Sequence, residues 1–446
     1  MVSDSTKLDK LRGIIAIGFL IIVSSLQAQQ FSVQTTEMAL IPEAVSNNAV
    51  CEGYVGTTPY VYSFCGIDTS KDHEGIHLKA FRYNTATDVW ETIAEVPDTM
   101  GKVAASANRV GDIIYVMGGY HVLANGNEVS SKSVHRYDTQ NNMWLIDGTD
   151  LPVPIDDQVQ VVYKDSLIYV ITGWSNANNV TAVQIYDTYN DSWQVGTPVP
   201  NTSTSRLFGG SGVIIGNTIY YYGGAKNSSF AAGNSLTIGD IDPLDPNTIV
   251  WADTILDSSI KSYRGACTSI WGEAIWLGGS DITYNYNGIA YNGSGGVPPN
   301  NQVLAFSEDM VWDATYVELP MDLRGVAHTS LFTRYLAGGM EPNQQVSRKT
   351  IKIEFTDLTN VFETHSKEKF VRVYPNPNSG TFTIKLTDIN TNHCISLYNQ
   401  LGVKIKETKV MNELTTVNVS SLPTGIYFAQ VVNQNGVGAI QKLIVR

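Results

Sequence analysis

The sequence is poor in cysteine, histidine and positive charge, and each shortage excludes a class of protein. Four cysteines in 446 residues are too few for a disulfide-stabilised scaffold. Lys and Arg number 29 against 42 Asp and Glu, and the net charge of −13 argues against a nucleic-acid partner. Seven scattered histidines disfavour a copper-oxidase type of metal site. We therefore expect no metal and no other cofactor.

Long hydrophobic runs are also scarce, since the one clear run is Gly13–Val23, behind three basic residues. Eleven residues are too few to span a bilayer but suit the hydrophobic part of a secretory signal. We predict a signal peptide over residues 1–28, ending at Ala28. The alternative is a permanent membrane anchor. No transmembrane segment is expected in the mature chain.

What the chain has in abundance is a repeated unit of 51 to 60 residues. In each copy an apolar strand ends in glycine, and in the first five copies a second strand and a polar turn lead to a tryptophan. The glycine recurs six times, at Gly66, Gly119, Gly173, Gly224, Gly279 and Gly339. The tryptophan recurs five times, at Trp90, Trp144, Trp193, Trp251 and Trp312.

This pattern resembles the kelch repeat over residues 47–355 and implies an all-β, six-bladed kelch-type β-propeller. Each blade is expected to be a four-stranded antiparallel meander. The sixth copy lacks its tryptophan strand, so we predict that a strand at residues 37–42 completes blade six and protects its open edge. The propeller domain is assigned to residues 29–355, and a polar linker to residues 356–369.

Residues 370–446 alternate short strands with glycine and proline turns, which predicts a small antiparallel β-sandwich. This tail resembles the C-terminal sorting domain of proteins exported by the Bacteroidetes type IX (Por) secretion system. The matching residues are Tyr374–Pro377, Gly380, Leu397–Asn399, Gly402, Leu422–Tyr427 and Lys442–Val445. The resemblance implies handling by that secretion machinery and a destination outside the cell or on its surface, via the periplasm. The alternative is a carbohydrate-binding accessory module.

Basic residues precede the innermost strands of four blades, at Lys102, Arg206, Arg264 and Arg324. Blade three differs and has Asp156, Asp157 and Gln158 there. Because an antiparallel meander brings these positions to one face of the ring, they predict an anion clamp for carboxylates. The alternative is that the arginines belong to the repeat and brace the neighbouring blade.

The same face is expected to collect loop residues that could contact a ligand. They are Tyr120, His121, Trp174, Tyr284, Tyr286 and Tyr291. Three of them belong to the largest insertion, residues 280–302 in blade five. These aromatic side chains either bind a partner or pack the insertion onto its own ring, and the sequence leaves both interpretations open.

Residues 73–77 (HEGIH) match the zinc-protease motif H-E-x-x-H. That chemistry needs a helix, which places both histidines on one side. Here the motif contains a glycine and lies between strands, so we interpret the match as a coincidence.

Cys51 and Cys65 are 14 residues apart on adjacent strands of blade one. If the turn is centred on Thr58, the two side chains face each other within disulfide reach. We predict a disulfide between them, because export exposes the chain to an oxidising compartment.

The sequence favours an exported, monomeric binding module for a glycan, an acidic ligand or a protein. One alternative is a carbohydrate-active enzyme, with Asp156, Asp157 and His328 as acid–base candidates. Resemblance to kelch-like sialic-acid mutarotases implies a Glu and an Arg after the blade-four glycine pair. Residues 223–235 (GGAKNSSFAAGNS) contain neither. The other alternative is a structural scaffold.

Overall fold

The computed structural model describes residues 31–227, 229–306, 312–357, 371–386, 393–399, 404–410, 412–433 and 438–446. The predicted signal peptide and nearly all of the predicted linker lie outside these residues. The described chain is all-β, which confirms the predicted fold class: six blade sheets, five of four strands and one of five, are followed by a smaller strand-rich region.

Each blade is an antiparallel sheet whose strands follow the chain outward from the axis. Strand β1 (Phe31–Glu37) comes first. Blade one contains β2 (Ala49–Val55), β3 (Thr58–Ile67), β4 (Ile76–Asn84) and β5 (Val89–Ile93). Blade two contains β6 (Val103–Val110), β7 (Ile113–Val122), β8 (Glu128–Ser130), β9 (Val134–Asp138) and β10 (Met143–Trp144). Blade three contains β11 (Val159–Tyr163), β12 (Leu167–Ile171), the hairpin β13 (Trp174–Ser175) and β14 (Asn178–Asn179), β15 (Val183–Asp187) and β16 (Ser192–Val195).

The remaining blades repeat this plan. Blade four contains β17 (Leu207–Phe208), β18 (Ser211–Ile215), β19 (Thr218–Tyr222), β20 (Ala225–Lys226), β21 (Ser235–Ile241) and β22 (Ile249–Ile255). Blade five contains β23 (Ala266–Ile270), β24 (Glu273–Leu277), β25 (Gln302–Phe306) and β26 (Trp312–Tyr316). Blade six contains β27 (Ala327–His328), β28 (Thr333–Ala337), the hairpin β29 (Met340–Glu341) and β30 (Gln345–Val346), and β31 (Thr350–Asp357). Short 3-10 turns lie at His73–Gly75 and Pro342–Gln344.

The outermost strand of blade six is β1, which pairs antiparallel with β31 along its whole length. This strand was predicted at residues 37–42, and that range is wrong. Residues 38–42 leave the sheet because Ile41 is fully buried between blade six and blade one. The alternating segment Phe31–Glu37 supplies the ladder instead.

Hydrophobic layers fill the spaces between neighbouring blades. Aromatic pairs mark several of these layers: Phe64–Tyr137, Tyr115–Tyr186, Tyr220–Phe306, Tyr83–Tyr335 and Phe31–Trp271. Four of the repeated tryptophans connect the outer strands, because their indole N–H groups donate to a main-chain oxygen of the segment before their own blade. The bonds are Trp90–Ala39, Trp144–Ala94, Trp193–Thr149 and Trp251–Thr197, at 2.7–3.1 Å. The tryptophan repeat is therefore scaffold.

The repeated glycine lies near the end of the second strand of each blade and has a positive φ. Gly119 shows why glycine is needed there: its φ is 83°, and a Cβ would lie 2.7 Å from the main-chain oxygen of Val103. Blades one and three replace the first glycine of the pair with Cys65 and Thr172, which adopt φ values of 49° and 45°. The positive φ therefore persists where the glycine pair is incomplete.

Cys51 and Cys65 do not form the predicted disulfide, since both are free and buried. The reason is the strand register. The turn between β2 and β3 consists of Gly56 and Thr57, so Cys51 lies opposite Tyr62 instead of Cys65. Cys65 lies at an irregularity of the β3–β4 pairing, between Phe64 and Gly66.

We expect iodoacetamide to modify both Cys51 and Cys65 in the denatured protein without any reductant. In the folded protein both thiols should stay unmodified, because burial excludes the reagent and raises both thiol pKa values, that of Cys65 to about 11. Peptide mass spectrometry measures both states. A peptide containing both residues that appears only after reduction would contradict the free-thiol assignment.

The tail contains two sheets that enclose a hydrophobic core. One sheet contains β32 (Val371–Tyr374), β33 (Thr381–Leu386) and β36 (Leu414–Asn418). The other contains β34 (His393–Tyr398), β35 (Lys404–Val410), β37 (Gly425–Asn433) and β38 (Gly438–Val445). Among the described residues of the whole chain, no helix has the length and hydrophobicity to cross a membrane.

Candidate functional site

Six residues share a positive φ of 49–69°. Each lies before or at the start of the innermost strand region of one blade, and hydrogen bonds link them around the axis. They are Asn47, Ala104, Asp157, Gly209, Arg264 and Asp322, which we call the axial ring. Main-chain N–H groups connect consecutive members: Asp157 to Ala104, Gly209 to Asp157, Arg264 to Gly209, and Asn47 to Asp322, at 2.8–3.2 Å. The ring therefore joins the blades at the centre of the propeller.

The side chain of Arg264 is the centre of this ring and is only 1% exposed. Its Nε and Nη2 donate to the two carboxylate oxygens of Asp157 at 3.0 and 2.6 Å, and Nη1 donates to Asp322 Oδ1 at 3.2 Å. Burial opposes the charge, but Asp157 and Asp322 hold the Arg264 pKa well above its ordinary value. This arginine is fully used within the protein.

Arg324 lies beside the ring and is likewise committed. Its Nη2 donates to Ser106 Oγ at 3.0 Å and to the main-chain oxygen of Gln158 at 2.8 Å. Its Nη1 is 3.5 Å from Asp157 Oδ1. Two arginines and two aspartates therefore neutralise each other at the axis, and they do not leave a free anion clamp.

The insertion in blade five covers one end of the ring. Thr283 Oγ1 donates to the main-chain oxygen of Phe230 in blade four, and Tyr291 stacks on the Phe230 ring at 4.9 Å. Tyr286 packs against the cluster of Ile67, Val103 and Tyr120 from blades one and two. We call this insertion, residues 280–302, the cap.

A small cavity of about 70 Å³ lies beneath the cap. Its lining residues are Tyr120, Glu128, Asp156, Asp157, Trp174, Phe208, Phe230, Arg264 and Tyr291. Six of the residues predicted for this face, Tyr120, Asp156, Asp157, Trp174, Arg264 and Tyr291, therefore meet here. We call it the cap cavity.

On the other side of the axial ring is a larger cavity of about 350 Å³, the central channel. All six innermost strand regions line it, from Arg324 and Gln158 near the ring to His328 and Asp165 at the mouth. Both mouth residues are exposed, so the channel opens there. The described structure thus has a closed end at the face that the sequence favoured, and an open end opposite.

Four side chains that line the channel carry a buried polar atom without a hydrogen-bond partner among the described residues. The atoms are Asn108 Oδ1, Arg109 Nε, Gln158 Oε1 and Arg324 Nε. An unmet buried donor or acceptor costs about 1–3 kcal/mol, so native proteins satisfy such groups with protein, water or ligand. The channel wall therefore offers both donors and acceptors.

The mouth carries charges that nearly balance. Arg109 lies over the Tyr54 ring at 5.0 Å, and its Nε is 3.6 Å from Glu52 Oε1. Glu52 Oε2 accepts from the main-chain N–H of His328 at 3.1 Å. Desolvation by the surrounding protein lowers the His328 pKa well below its ordinary value, and the positive charges of Arg334 and Arg109 lower it further. The His328 ring is therefore neutral at pH 7.

Five residues predicted for the site lie outside both cavities: Lys102, His121, Arg206, Tyr284 and Tyr286. Lys102 is fully buried in another cluster, where its Nζ contacts Asp98 Oδ2 at 2.5 Å and His135 Nε2 at 3.0 Å. His121 Nε2 is 4.0 Å from the same Asp98 oxygen. Arg206 is half-buried, and its Nε has no partner among the described residues. The Lys102 and Arg206 side chains are thus apart from Arg264 and Arg324.

Of the other predicted residues, Tyr284 and Tyr286 pack against neighbouring side chains, and Gln158 lines the channel. Tyr284 is buried against Tyr263 at 5.1 Å and lies within 5.7 Å of the Arg264 guanidinium, while Tyr286 anchors the cap. Gln158 lines the channel, where its Nε2 donates to Met117 O at 3.0 Å. Of the acid–base candidates, Asp156 and Asp157 line the cap cavity, and only His328 lines the channel.

The HEGIH segment forms a 3-10 turn and the start of β4. Asp72 caps the turn by accepting from the N–H groups of Glu74 and Gly75. His77 lies in β4, where burial, followed by the charge of Lys79, lowers its pKa to about 4. No group of three or more His, Cys, Asp or Glu side chains among the described residues has an arrangement that could hold a metal ion.

Sequence reasoning missed the residues at the channel mouth: Glu52, Asn108, Arg109 and Asp165. They lie at the far ends of innermost strands or in the turns that follow, where alternating polar residues are ordinary for a half-buried strand. The one signal was position, because Glu52 and Arg109 come near the end of the first strand in consecutive repeats.

The fold agrees with known proteins of low similarity. Human Kelch-like protein 15 is 28% identical over 141 residues, which are 31% of this chain and 22% of that protein, so the match spans about a fifth of the relative. The solved "Structure of YjhT" has a TM-score of 0.55 at 13% identity and covers 70% of this chain and 95% of its own. A fungal alcohol oxidase of the AA5 family, in complex with copper, has a TM-score of 0.50 at 13% identity, with 94% and 99% covered. At these identities the two structures show the fold alone.

The tail has a match of its own. The family model of the secretion system C-terminal sorting domain (Por_Secre_tail) matches residues 372–446. The predicted sorting tail is thus confirmed, and the chain is exported by the type IX secretion system to the cell surface or outside.

The family model of the KLHDC2/KLHL20/DRC7 Kelch-repeats domain matches residues 46–290, more than half of the chain. This match agrees with the four-stranded sheets and with the glycine and tryptophan repeats. The chain therefore belongs to the kelch-repeat family.

Proposed function

We propose that this exported kelch protein is a binding protein whose central channel holds a small, uncharged, hydroxyl-rich molecule such as a sugar. The observation that carries the proposal is the set of four unpartnered polar atoms along the channel wall, two N–H donors and two amide oxygens. A hydroxyl group both donates and accepts, so a sugar matches such a mixed wall.

Size supports this ligand class. A cavity of about 350 Å³ lies at the lower end of the roughly 300–1,000 Å³ range of small-molecule pockets. The open mouth admits a ligand, and the axial ring closes the far end. A sugar of one or two rings therefore suits the channel better than a long chain.

Charge argues for a neutral ligand instead of the acidic one also considered from the sequence. The charge of Arg264 is neutralised by Asp157 and Asp322, and Arg324 lies against Asp157. At the mouth, Arg109 faces Glu52. An added carboxylate would therefore have to compete with a carboxylate of the protein for either channel arginine.

We expect Arg109→Gln to weaken sugar binding at least tenfold, because it removes the charged donor at the mouth. Isothermal titration calorimetry with the full-length protein and a panel of neutral mono- and disaccharides, together with glucuronate, measures this. The matched control is Arg82→Gln on the outer part of blade one. Arg82 also pairs with a glutamate, Glu91, and also lies over a tyrosine, Tyr60 at 5.2 Å.

The control variant should bind as the unmodified protein does. The proposal fails if no neutral sugar binds, if the two variants bind equally well, or if glucuronate binds more tightly than every neutral sugar. The last result would restore the acidic ligand. A protein with no sugar ligand at all would fit the structural scaffold.

A further inference from the structure

The cap cavity is lined by more carboxyl groups than the arginine at its wall can pair with. Arg264 is already shared between Asp157 and Asp322. Two further carboxylates, Asp156 and Glu128, line the same cavity, and neither forms an ion pair within the described residues. The cavity wall therefore has two carboxyl groups without a cationic partner.

Asp156 is the better defined of the two. Asp156 is only 3% exposed, and its Oδ2 accepts a hydrogen bond from Ser130 Oγ at 2.5 Å. The other oxygen, Oδ1, accepts no hydrogen bond from any residue that the structure describes. Main-chain hydrogen bonds to Trp174 in both directions, each 2.9 Å, fix the position of the backbone. A preorganised acceptor thus lies in the cavity wall with one oxygen unused.

Aromatic rings form most of the remaining wall. Trp174 lies 5.4 Å from Phe208 and 5.7 Å from Phe230, and Tyr291 stacks on Phe230 at 4.9 Å. Ring faces attract cations through their quadrupole. The protein already uses this attraction for its own cations, for example where the Arg264 guanidinium lies over Tyr263 at 5.1 Å beside the Asp157 carboxylate. Asp156 has a comparable aromatic setting but no cation.

We propose that the cap cavity binds the ammonium head of an alkylamine, either a primary or a methylated ammonium. The Asp156 carboxylate would accept the N–H donors or face the methylated charge, and the rings of Trp174 and Tyr291 would cover the methylene or methyl groups. Glu128, which is exposed, would guide the head into the cavity.

The size of the cavity limits the ligand to a small head group. The cap cavity, at about 70 Å³, is much smaller than the central channel, at about 350 Å³. An ammonium group and the carbon next to it fit, whereas a sugar ring does not. The site is distinct from the central channel, because the axial ring with Arg264 and Asp157 lies between them.

Burial and a bound ammonium have opposite effects on the carboxyl pKa values in this cavity. Burial, and then the neighbouring Asp157, raises the Asp156 pKa well above its ordinary value, and burial also raises the Glu128 pKa. A bound ammonium would favour the ionised forms of both carboxyl groups.

Isothermal titration calorimetry of the full-length protein with butylammonium chloride tests the proposal. Asp156→Asn keeps the size of the side chain and an acceptor for Ser130, so we expect at least tenfold weaker binding with little change in the unfolding midpoint. Tyr291→Leu should also weaken binding, because it removes a ring and leaves the charge. The matched control is Glu74→Gln, an exposed carboxylate on a loop of blade one.

Several outcomes would overturn the proposal. They are no measurable binding of butylammonium, equal binding by the Asp156→Asn and Glu74→Gln variants, or equally tight binding of neutral butanol. The ammonium head could belong to a lysine side chain or to a free amine. A second titration, with the tripeptide Gly-Lys-Gly acetylated at its N-terminus and amidated at its C-terminus, distinguishes these two sources. Binding of both compounds assigns the site to exposed lysine side chains, and binding of butylammonium alone assigns it to free amines. The result is independent of the sugar titrations.

Discussion

Replacing Arg264 with alanine should lower the free energy of unfolding by about 3–5 kcal/mol, because it removes the cation that binds two buried carboxylates. Among the described residues, Asp322 then has no cation, and Asp157 keeps only the more distant Arg324. Asp157 and Asp322 are at most 1% exposed, and each accepts at least one hydrogen bond from the Arg264 guanidinium. Chemical denaturation followed by tryptophan fluorescence measures the loss. Arg264→Lys should cost less, because the charge remains while the two-pronged contact with Asp157 is lost.

The matched control is Arg206→Ala. The repeat pattern aligns Arg206 with Arg264, but the structure shows no ion pair to Arg206 among the described residues, and its side chain is half-buried. We expect a change within about 1 kcal/mol. Equal losses for Arg206→Ala and Arg264→Ala would mean that the two arginines are equivalent, and the axial ion-pair cluster would then not be the centre of the fold.

The role of Arg264 in stability also limits what ligand-binding measurements on Arg264 variants can show. Because its donors are held by Asp157 and Asp322, a substitution there disturbs the ring before it removes any ligand contact. Loss of sugar binding in an Arg264 variant would therefore carry little information about the channel. Arg109, whose Nε has no hydrogen-bond partner among the described residues and lies 3.6 Å from Glu52 Oε1, is the arginine whose substitution tests binding there.

The fold could be predicted because its signals recur in every blade. Glycine at the positive-φ position and tryptophan at the outer strand are required by backbone geometry and by packing between blades, so the same residue types return at each copy. Six copies then determine the number of blades. The sorting tail was equally accessible, because its motifs span nearly the whole segment.

The axial ring could not be predicted from the sequence in the same way. Its six positions share a backbone conformation but no side-chain type, since they include Ala104, Gly209 and Arg264. Alignment by residue type therefore grouped Arg264 with Lys102 and Arg206, which precede their own ring positions by two and three residues. The charged partners Asp157 and Asp322 come from other blades, at separations of 107 and 58 residues.

Register and loop packing were the other limits. A disulfide between Cys51 and Cys65 required a turn centred on Thr58, and a two-residue turn at Gly56 and Thr57 shifts the pairing. The sequence left open whether the aromatic residues of the blade-five insertion bind a partner or pack onto their own ring, and it placed the ligand on this face. Most of those rings pack over the axis, which closes the face where a ligand was expected and leaves the opposite mouth open.

Removing β1 should have the second large effect, because this strand completes the sheet of blade six. We expect deletion of residues 31–37 to lower the free energy of unfolding by about 4 kcal/mol or more. Truncation of one buried phenylalanine alone costs about 3–5 kcal/mol. Phe31 is 6% exposed and contacts the rings of Phe355 at 5.7 Å and Trp271 at 6.4 Å. Its loss would also leave the edge of β31 unpaired.

A synthetic peptide with the sequence of residues 31–37 provides the sharpest test of this closure. Added to the deletion variant, it should raise the unfolding midpoint in a concentration-dependent way, because it can pair with β31 as an added strand. A scrambled peptide should have no effect. Thr35→Ala with Thr36→Ala in the intact chain, both exposed on β1, should change stability by less than about 0.5 kcal/mol per site. If the deletion variant unfolds at the same denaturant concentration as the full chain, β1 does not close the ring, because a sheet that loses its outer strand must expose the rings that the strand covered.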